Sequence, residues 1–190
     1  MHDKVTHNGS RWSNADSDLV ELREYDPGWP EEFQREAKAI RAELGEVLAY
    51  STEHVGSTAI PGLTAKPIID IILVVPDKRR WPEVVAPLEQ LGYSYWADNP
   101  DPDRMFFVKG MPPFGSGRTH HVHVHTPETL EPLVRFRDFL IQHPDEARKY
   151  GELKRELAQR FERDRDAYTA GKAEFVQEIL RKAVRTAGSA

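Results

Sequence analysis

A Gly-Ser turn and a carboxylate in an apolar strand are the features of this sequence that could do chemistry together. Gly56 and Ser57 follow a predicted strand, and Asp70 interrupts the apolar run at 68–75. Backbone N–H groups and a hydroxyl in such a turn can bind an anion. An ionised carboxylate among apolar side chains is costly unless it is paired, protonated or bound to a metal. The pair therefore predicts an anion site beside a cation, and the simpler interpretation is a tight turn and a hydrogen-bonded structural carboxylate.

The segment THHVHVH at 119–125 provides a second set of reactive side chains. Alternation along a strand places His121, His123 and His125 on one face. If this strand lies beside Asp70, a mixed carboxylate and imidazole site results, and such ligands suit Zn²⁺, Mn²⁺ or Fe²⁺ better than Mg²⁺. In the alternative interpretation, one histidine orients Asp70 or contacts a phosphate, and the others face solvent.

Four basic residues could neutralise a polyanion near the turn. Lys66 precedes the strand that carries Asp70, and Arg118 precedes the histidines. Lys154 and Lys172 fall on predicted C-terminal helices. Converging cations are typical of triphosphate sites, whereas a single lysine is more often part of a solvated surface.

Composition excludes several classes of protein. The sequence has no cysteine, which excludes disulfides, thiolate catalysis and cysteine-bound zinc. The formal net charge of −5 argues against an extended nucleic-acid surface. The polar N-terminus lacks the apolar core of a signal peptide, and no apolar run reaches the roughly 18 residues that a membrane helix needs. These features predict a cytoplasmic protein with no membrane partner.

The hydrophobic pattern predicts an α/β (α+β) fold, with a mixed sheet flanked by helices and a helical C-terminal third. Residues 1–18 are expected to form a flexible leader, and residues 19–187 a single domain. One helix is expected from Pro30 to Gly45, and another, which Pro87 would kink or split, ends at Gly92. The other helices are expected at 128–142, 145–162 and 165–186, and the strands at 47–55, 68–75, 93–96, 105–109 and 119–125.

Four separated motifs resemble the GrpB family: HVGSTAIPGLTAKPIIDI, THHVHVH, FRDFLIQHPDEARKYGELKRELA and DRDAYTAGKAEFV. The resemblance runs from about residue 25 to 183 and implies a nucleotidyltransferase-like fold. In that superfamily the Gly-Ser turn holds nucleotide phosphates, and carboxylates on the next strand bind Mg²⁺. One branch of the family is fused to dephospho-coenzyme A kinase, where the domain assists folding.

The resemblance and the histidine pattern together assign expected roles to individual residues. The expected ligands are a nucleoside triphosphate and a divalent metal, Mg²⁺ or Mn²⁺, with Zn²⁺ or Fe²⁺ as alternatives through the histidines. Phosphate binding is expected from Gly56, Ser57, Thr58, Lys66, Lys154 and Lys172; metal binding from Asp70, His121 and His123; catalysis from Asp70 and His123.

One position departs from the superfamily pattern. Metal-binding nucleotidyltransferases carry two carboxylates at alternate strand positions, and the second position here is Ile72. The leading hypothesis is still a metal-dependent transferase that moves a nucleotidyl or phosphoryl group to an unidentified acceptor. The alternative is a non-catalytic binding or folding-assistance module with a protein partner. A third hypothesis is a small metalloenzyme that uses His121, His123 and His125 without a nucleotide.

Overall fold

A five-stranded mixed sheet lies at the centre of the computed structural model, which describes residues 19–45, 49–111 and 117–187. The strand order is β1-β2-β5-β4-β3. The strands are Ser51–Val55 (β1), Ile69–Val74 (β2), Tyr93–Tyr95 (β3), Met105–Lys109 (β4) and His120–His125 (β5). The pair β2 and β5 is parallel, and the other neighbouring pairs are antiparallel. The predicted leader at 1–18 lies outside the described residues.

The first face of the sheet packs on two helices and forms the main core. Helix α1, Trp29–Leu44, carries Pro30 in its first turn and is capped by Gly45, as predicted. Helix α2, Val85–Gln90, follows the 3₁₀ segment Lys78–Val84. Alternation sends every second residue of the strands into this core, including Ile69, Ile71, Leu73, Phe107, Val122 and Val124.

The expected interruption of this helix is a split rather than a kink, and it lies just before Pro87. The change from 3₁₀ to α geometry falls at Val84 and Val85, before this proline. Pro87 lies in the first turn of α2, where a missing N–H has no helical acceptor to lose.

The C-terminal third is helical, as predicted, and consists of Glu131–Gln142 (α3), Pro144–Arg160 (α4), Arg165–Ala170 (α5) and Ala173–Ala187 (α6). A separate apolar cluster joins these helices to the loop that follows β1, through Ile60, Leu63, Phe139, Leu140, Ala147, Tyr150, Ile179 and Ala183. The loop after β1 is therefore held by the sheet on one side and by the helices on the other.

The single helix expected at 165–186 is wrong, because the chain breaks between α5 and α6. Gly171 stands at the break, and a Cβ there would lie 2.6 Å from a methyl carbon of Leu157 on α4. A side chain at this position would therefore push against Leu157, and the break leaves Lys172 between the two helices. None of the helices in the described ranges is both long and apolar enough to cross a bilayer.

Candidate functional site

The second face of the sheet carries Asp70 beside the turn that follows β1. Strand register pairs Val55, the last residue of β1, with Asp70. Gly56 follows with φ of 71° and ψ of −170°, a conformation that is essentially limited to glycine. A Cβ at Gly56 would lie 2.3 Å from Asp70 Oδ2. The glycine therefore lets the backbone of the turn come into direct contact with the carboxylate.

Two of the three predicted histidines meet Asp70. The parallel pairing of β2 with β5 sets His121 opposite Asp70, and His123 opposite Ile72. His121 Nδ1 lies 2.8 Å from Asp70 Oδ1, and His123 Nε2 lies 3.6 Å from the same oxygen. His125 does not join them, because it lies opposite Val74, four residues further along the strand, where its Nδ1 pairs with the Thr129 hydroxyl at 3.0 Å. The strand therefore supplies two imidazoles to the site.

The protonation states follow from burial and these hydrogen bonds. Burial opposes ionisation of Asp70, but hydrogen bonds from His121 and His123 outweigh it and hold the pKa of the carboxyl below its usual range. Burial lowers the pKa of His121 to about 4, against the opposing effect of Asp70. At neutral pH the centre therefore holds an ionised carboxylate and a neutral His121 that donates its Nδ1 proton to Asp70.

The donor atoms of this centre fit a divalent ion in type and spacing. One ligand atom from each of Asp70, His121 and His123 lies within 4.8 Å of the others. His121 follows the outer-shell pattern of most metal sites, because its Nδ1–H donates to a carboxylate and its buried Nε2, which has no hydrogen-bond partner among the described residues, is left unprotonated. His123 departs from this pattern, because its Nδ1 faces the Arg104 guanidinium at 3.4 Å. An ion held here would need further oxygen ligands, which phosphates can provide.

The hydroxyls of the turn have different partners. Ser57 opens the short 3₁₀ turn Ser57–Ala59, and its side chain lies near Tyr150 of α4. The Thr58 hydroxyl is buried; it donates to the Ile68 carbonyl and pairs with His54 Nε2, both at 3.1 Å. The Thr58 hydroxyl thus holds the turn against the residue that precedes β2. Of the two hydroxyls in the turn, that of Ser57 is therefore the better placed to bind a phosphate.

Lys66 and Lys172 converge near Asp70. Their Nζ atoms lie 5.1 and 4.5 Å from the ring centroid of Tyr168, so the two ammonium groups share one aromatic neighbour. Burial and the charges of Arg165 and Lys172 lower the pKa of Lys66 to about 7, while Asp70 opposes this shift. The gathering of several cations around Lys66 indicates a site arranged for an anion.

Lys154, the third predicted phosphate ligand, is placed differently. Its side chain is only 2% exposed, and its Nζ donates to the Thr64 carbonyl and lies 4.7 Å from the Tyr150 ring centroid. Burial, followed by Lys172 and Arg155, lowers its pKa to about 7. Lys154 is therefore buried beneath the loop that precedes β2, and its ammonium group stabilises that loop.

A pH dependence of stability follows from Lys154. Its pKa of about 7 lies below its ordinary value of 10.5, so between these values the unfolded chain binds more protons than the folded chain. The free energy of unfolding should then rise with pH from 7 to 9, by up to about 1.4 kcal/mol per pH unit from this group. Urea denaturation at pH 7, 8 and 9 should show a smaller rise for Lys154→Met. Lys149→Met, at a half-exposed position of the same helix, should keep the wild-type slope; an identical slope in both variants would contradict the assignment.

A cavity of about 580 Å³ opens beside this centre, between the second sheet face and the segment at 163–169. His121 and Lys66 line it, together with Arg104, Arg118 and Arg165. The sequence pattern did not single out Arg104 or Arg165, although Arg165 lies within a quoted motif. The two arginines line the same cavity only because β4 and α5 lie over the same face of the sheet.

Fold and site together define a mixed α/β protein with a carboxylate–histidine centre behind a Gly-Ser turn and a cationic cavity beside it. Residues 19–182 match the sequence profile of the GrpB protein family. The chain belongs to the GrpB family, as its motifs predicted.

Individual relatives agree with this assignment. The UPF0157 protein PA4798 of Pseudomonas aeruginosa is 55% identical over 93% of this chain and 72% of its own length. A protein of Mycolicibacterium paratuberculosis named dephospho-CoA kinase is 32% identical over 86% of this chain and 46% of its own length. The crystal structure of GrpB from Enterococcus faecalis covers 87% of this chain and 98% of its own, with 33% identity and a TM-score of 0.78. The fold is thus shared with a solved member of the family.

Proposed function

We propose that this chain binds a nucleoside triphosphate with a divalent metal on the second sheet face and transfers a nucleotidyl or phosphoryl group to an acceptor. The observation that carries the proposal is one juxtaposition. An ionised Asp70 with two histidines lies next to a Gly-Ser turn and to two lysines, Lys66 and Lys172, that share the Tyr168 ring. A polyphosphate chelating a cation satisfies all three features at once.

Each residue has a distinct role in this proposal. Gly56 and Ser57 bind the β- and γ-phosphates, and Lys66 and Lys172 neutralise their charge. Asp70, with His121 and His123, holds the metal, which supplies charge neutralisation at the transferred phosphorus when it is bound. Since the protein donors are few and one of them is hydrogen-bonded to another, phosphate oxygens complete the coordination. Metal and nucleotide are therefore expected to bind jointly.

A specific observation favours a second candidate, a binding module without chemistry. Ile72 occupies the position of the second carboxylate and is fully buried with Val55 and Val74, against Leu130 and Val134. Among the described residues, the cluster that could hold a metal contains Asp70 as its one carboxylate. Two-metal chemistry would need another acidic ligand, so the protein would then bind a nucleotide or a protein partner without turnover.

Thermal shift of untagged protein tests the binding proposal. ATP, GTP, CTP and UTP are each combined with Mg²⁺, Mn²⁺, Zn²⁺ or Fe²⁺, because a ligand that binds only the folded state raises its stability. We expect a rise that needs nucleotide and metal together. A rise with metal alone would instead favour the small metalloenzyme, and no rise in any combination would contradict nucleotide binding.

Turnover separates the transferase from the binding module. The nucleotide and metal that give the largest shift are incubated with the protein, and released pyrophosphate or phosphate is measured. Release that disappears in Asp70→Asn supports transfer or hydrolysis at this centre. Joint binding with no release above that of Asp70→Asn identifies the non-catalytic module.

A further inference from the structure

On the side of Asp70 that faces away from the Gly-Ser turn, part of the cavity lining is apolar. Its wall over β4 and β3 is apolar and aromatic, formed by Phe106, Val108, Met111 and Trp96. The Phe106 ring lies 5.0 Å from the His121 ring and 5.6 Å from the Trp96 ring, measured between centroids. Trp96 is 38% exposed, a high value for a tryptophan that lines a cavity. We call these four side chains the aromatic wall.

Strand order places the anion site and the aromatic wall on opposite sides of the centre. β1 precedes the Gly-Ser turn, β2 carries Asp70, β5 carries the histidines and β4 carries Phe106. In register, Asp70 lies opposite His121, and His121 lies opposite Val108. Since neighbouring strands are about 4.8 Å apart, the wall begins about 10 Å from Asp70, on the side away from Gly56.

We propose that the aromatic wall binds the acceptor, and that the acceptor carries a planar aromatic ring and an anionic group. This inference rests on the proposed transfer function. In an in-line displacement, the attacking and leaving oxygens lie on opposite sides of the transferred phosphorus. An acceptor hydroxyl oxygen bonds to the α-phosphorus, the bond from that phosphorus to the bridging oxygen breaks, pyrophosphate leaves, and the hydroxyl proton passes to water. With the leaving phosphates at Gly56 and Ser57, the acceptor enters over β5 and β4.

The positive charges near the aromatic wall indicate that the acceptor carries an anionic group. Besides Lys66, which is assigned to the phosphates, the cavity lining carries cations from Arg104, Arg118, Arg163 and Arg165 against two carboxylates, Asp164 and Asp166. The Arg104 guanidinium lies 5.2 Å from the Phe106 ring centroid, so one cation borders the aromatic surface itself. An aromatic ring can stack on Trp96 and Phe106 while its anionic substituent pairs with these arginines.

Binding of 1-naphthyl phosphate to protein saturated with tripolyphosphate and Mn²⁺ tests this inference by calorimetry. We expect the probe to bind alongside tripolyphosphate, and Trp96→Ala to weaken it about tenfold because one stacking face is lost. Trp96→Phe should restore most of the affinity. Tyr50→Ala, which removes a 70% exposed aromatic ring outside the cavity lining, should bind the probe like wild type.

Other results would overturn the inference in distinguishable ways. Displacement of the probe by tripolyphosphate would show that it binds at the phosphate site. Displacement by UTP or ATP, but not by tripolyphosphate, would assign the wall to the nucleotide base. Unchanged affinity in Trp96→Ala, or no binding of the probe, would remove the aromatic site. Tripolyphosphate is titrated first, because its failure to bind contradicts the proposed function itself.

Discussion

Asp70→Asn is expected to abolish the joint stabilisation by metal and nucleoside triphosphate while the fold stays intact. Asparagine keeps the shape of the side chain and an oxygen that accepts the His121 hydrogen bond, but it loses the charge that attracts a cation. With nucleotide and metal at about a hundred times the dissociation constant, wild type should gain about 2.7 kcal/mol, and the variant should gain almost none. Thermal shift and calorimetry with the best nucleotide and metal measure the difference.

Controls make the result specific to this carboxylate. Asp145→Asn removes the same charge at a 90% exposed position on α4 and should keep the full stabilisation. Circular dichroism and urea denaturation without ligand verify that Asp70→Asn is folded. A folded Asp70→Asn protein that binds nucleotide and metal as tightly as wild type would contradict the central role of Asp70.

Gly56→Ala is expected to damage both stability and the site. The backbone of Gly56, with φ of 71° and ψ of −170°, is costly for any residue with a Cβ, and that Cβ would meet Asp70 Oδ2 at 2.3 Å. The strain alone costs about 1–3 kcal/mol, and relief of the clash must move the carboxylate from its histidines. Urea denaturation should show the loss of stability, and thermal shift should show loss of joint ligand binding.

Gly62→Ala is a control that separates the cost of backbone strain from the effect of a Cβ contact with Asp70. Gly62 also has a positive φ, of 77°, but a Cβ there would meet nothing within 4 Å. The Gly62→Ala variant should therefore lose only about 1 kcal/mol of unfolding free energy, through backbone strain, and it should keep ligand binding. Equal effects of both substitutions on ligand binding would show that contact between Gly56 and Asp70 does not matter for the site.

Local sequence signals predicted most of the elements correctly. Pro30, Gly45 and the apolar face of α1 are signals that act within one helix, so the bounds of that helix could be read directly. Period-two alternation in β5 likewise determined that His121, His123 and His125 share a face. The helix predicted at 165–186 was wrong at Gly171, where α5 has ended and Leu157 of α4 lies close to the backbone.

The sequence by itself determined the family, the Gly-Ser turn and the unusual carboxylate of Asp70. It did not determine which strands are neighbours or in what register, because these depend on long-range packing rather than on local pattern. Only the parallel pairing of β2 and β5 brings His121 to Asp70 and leaves His125 with Thr129. Only the placement of β4 and α5 over the same face forms the cavity with its aromatic wall, and only the packing of α4 buries Lys154. Chemistry-bearing residues could thus be read one at a time, whereas the site they form depends on contacts between segments far apart in the chain.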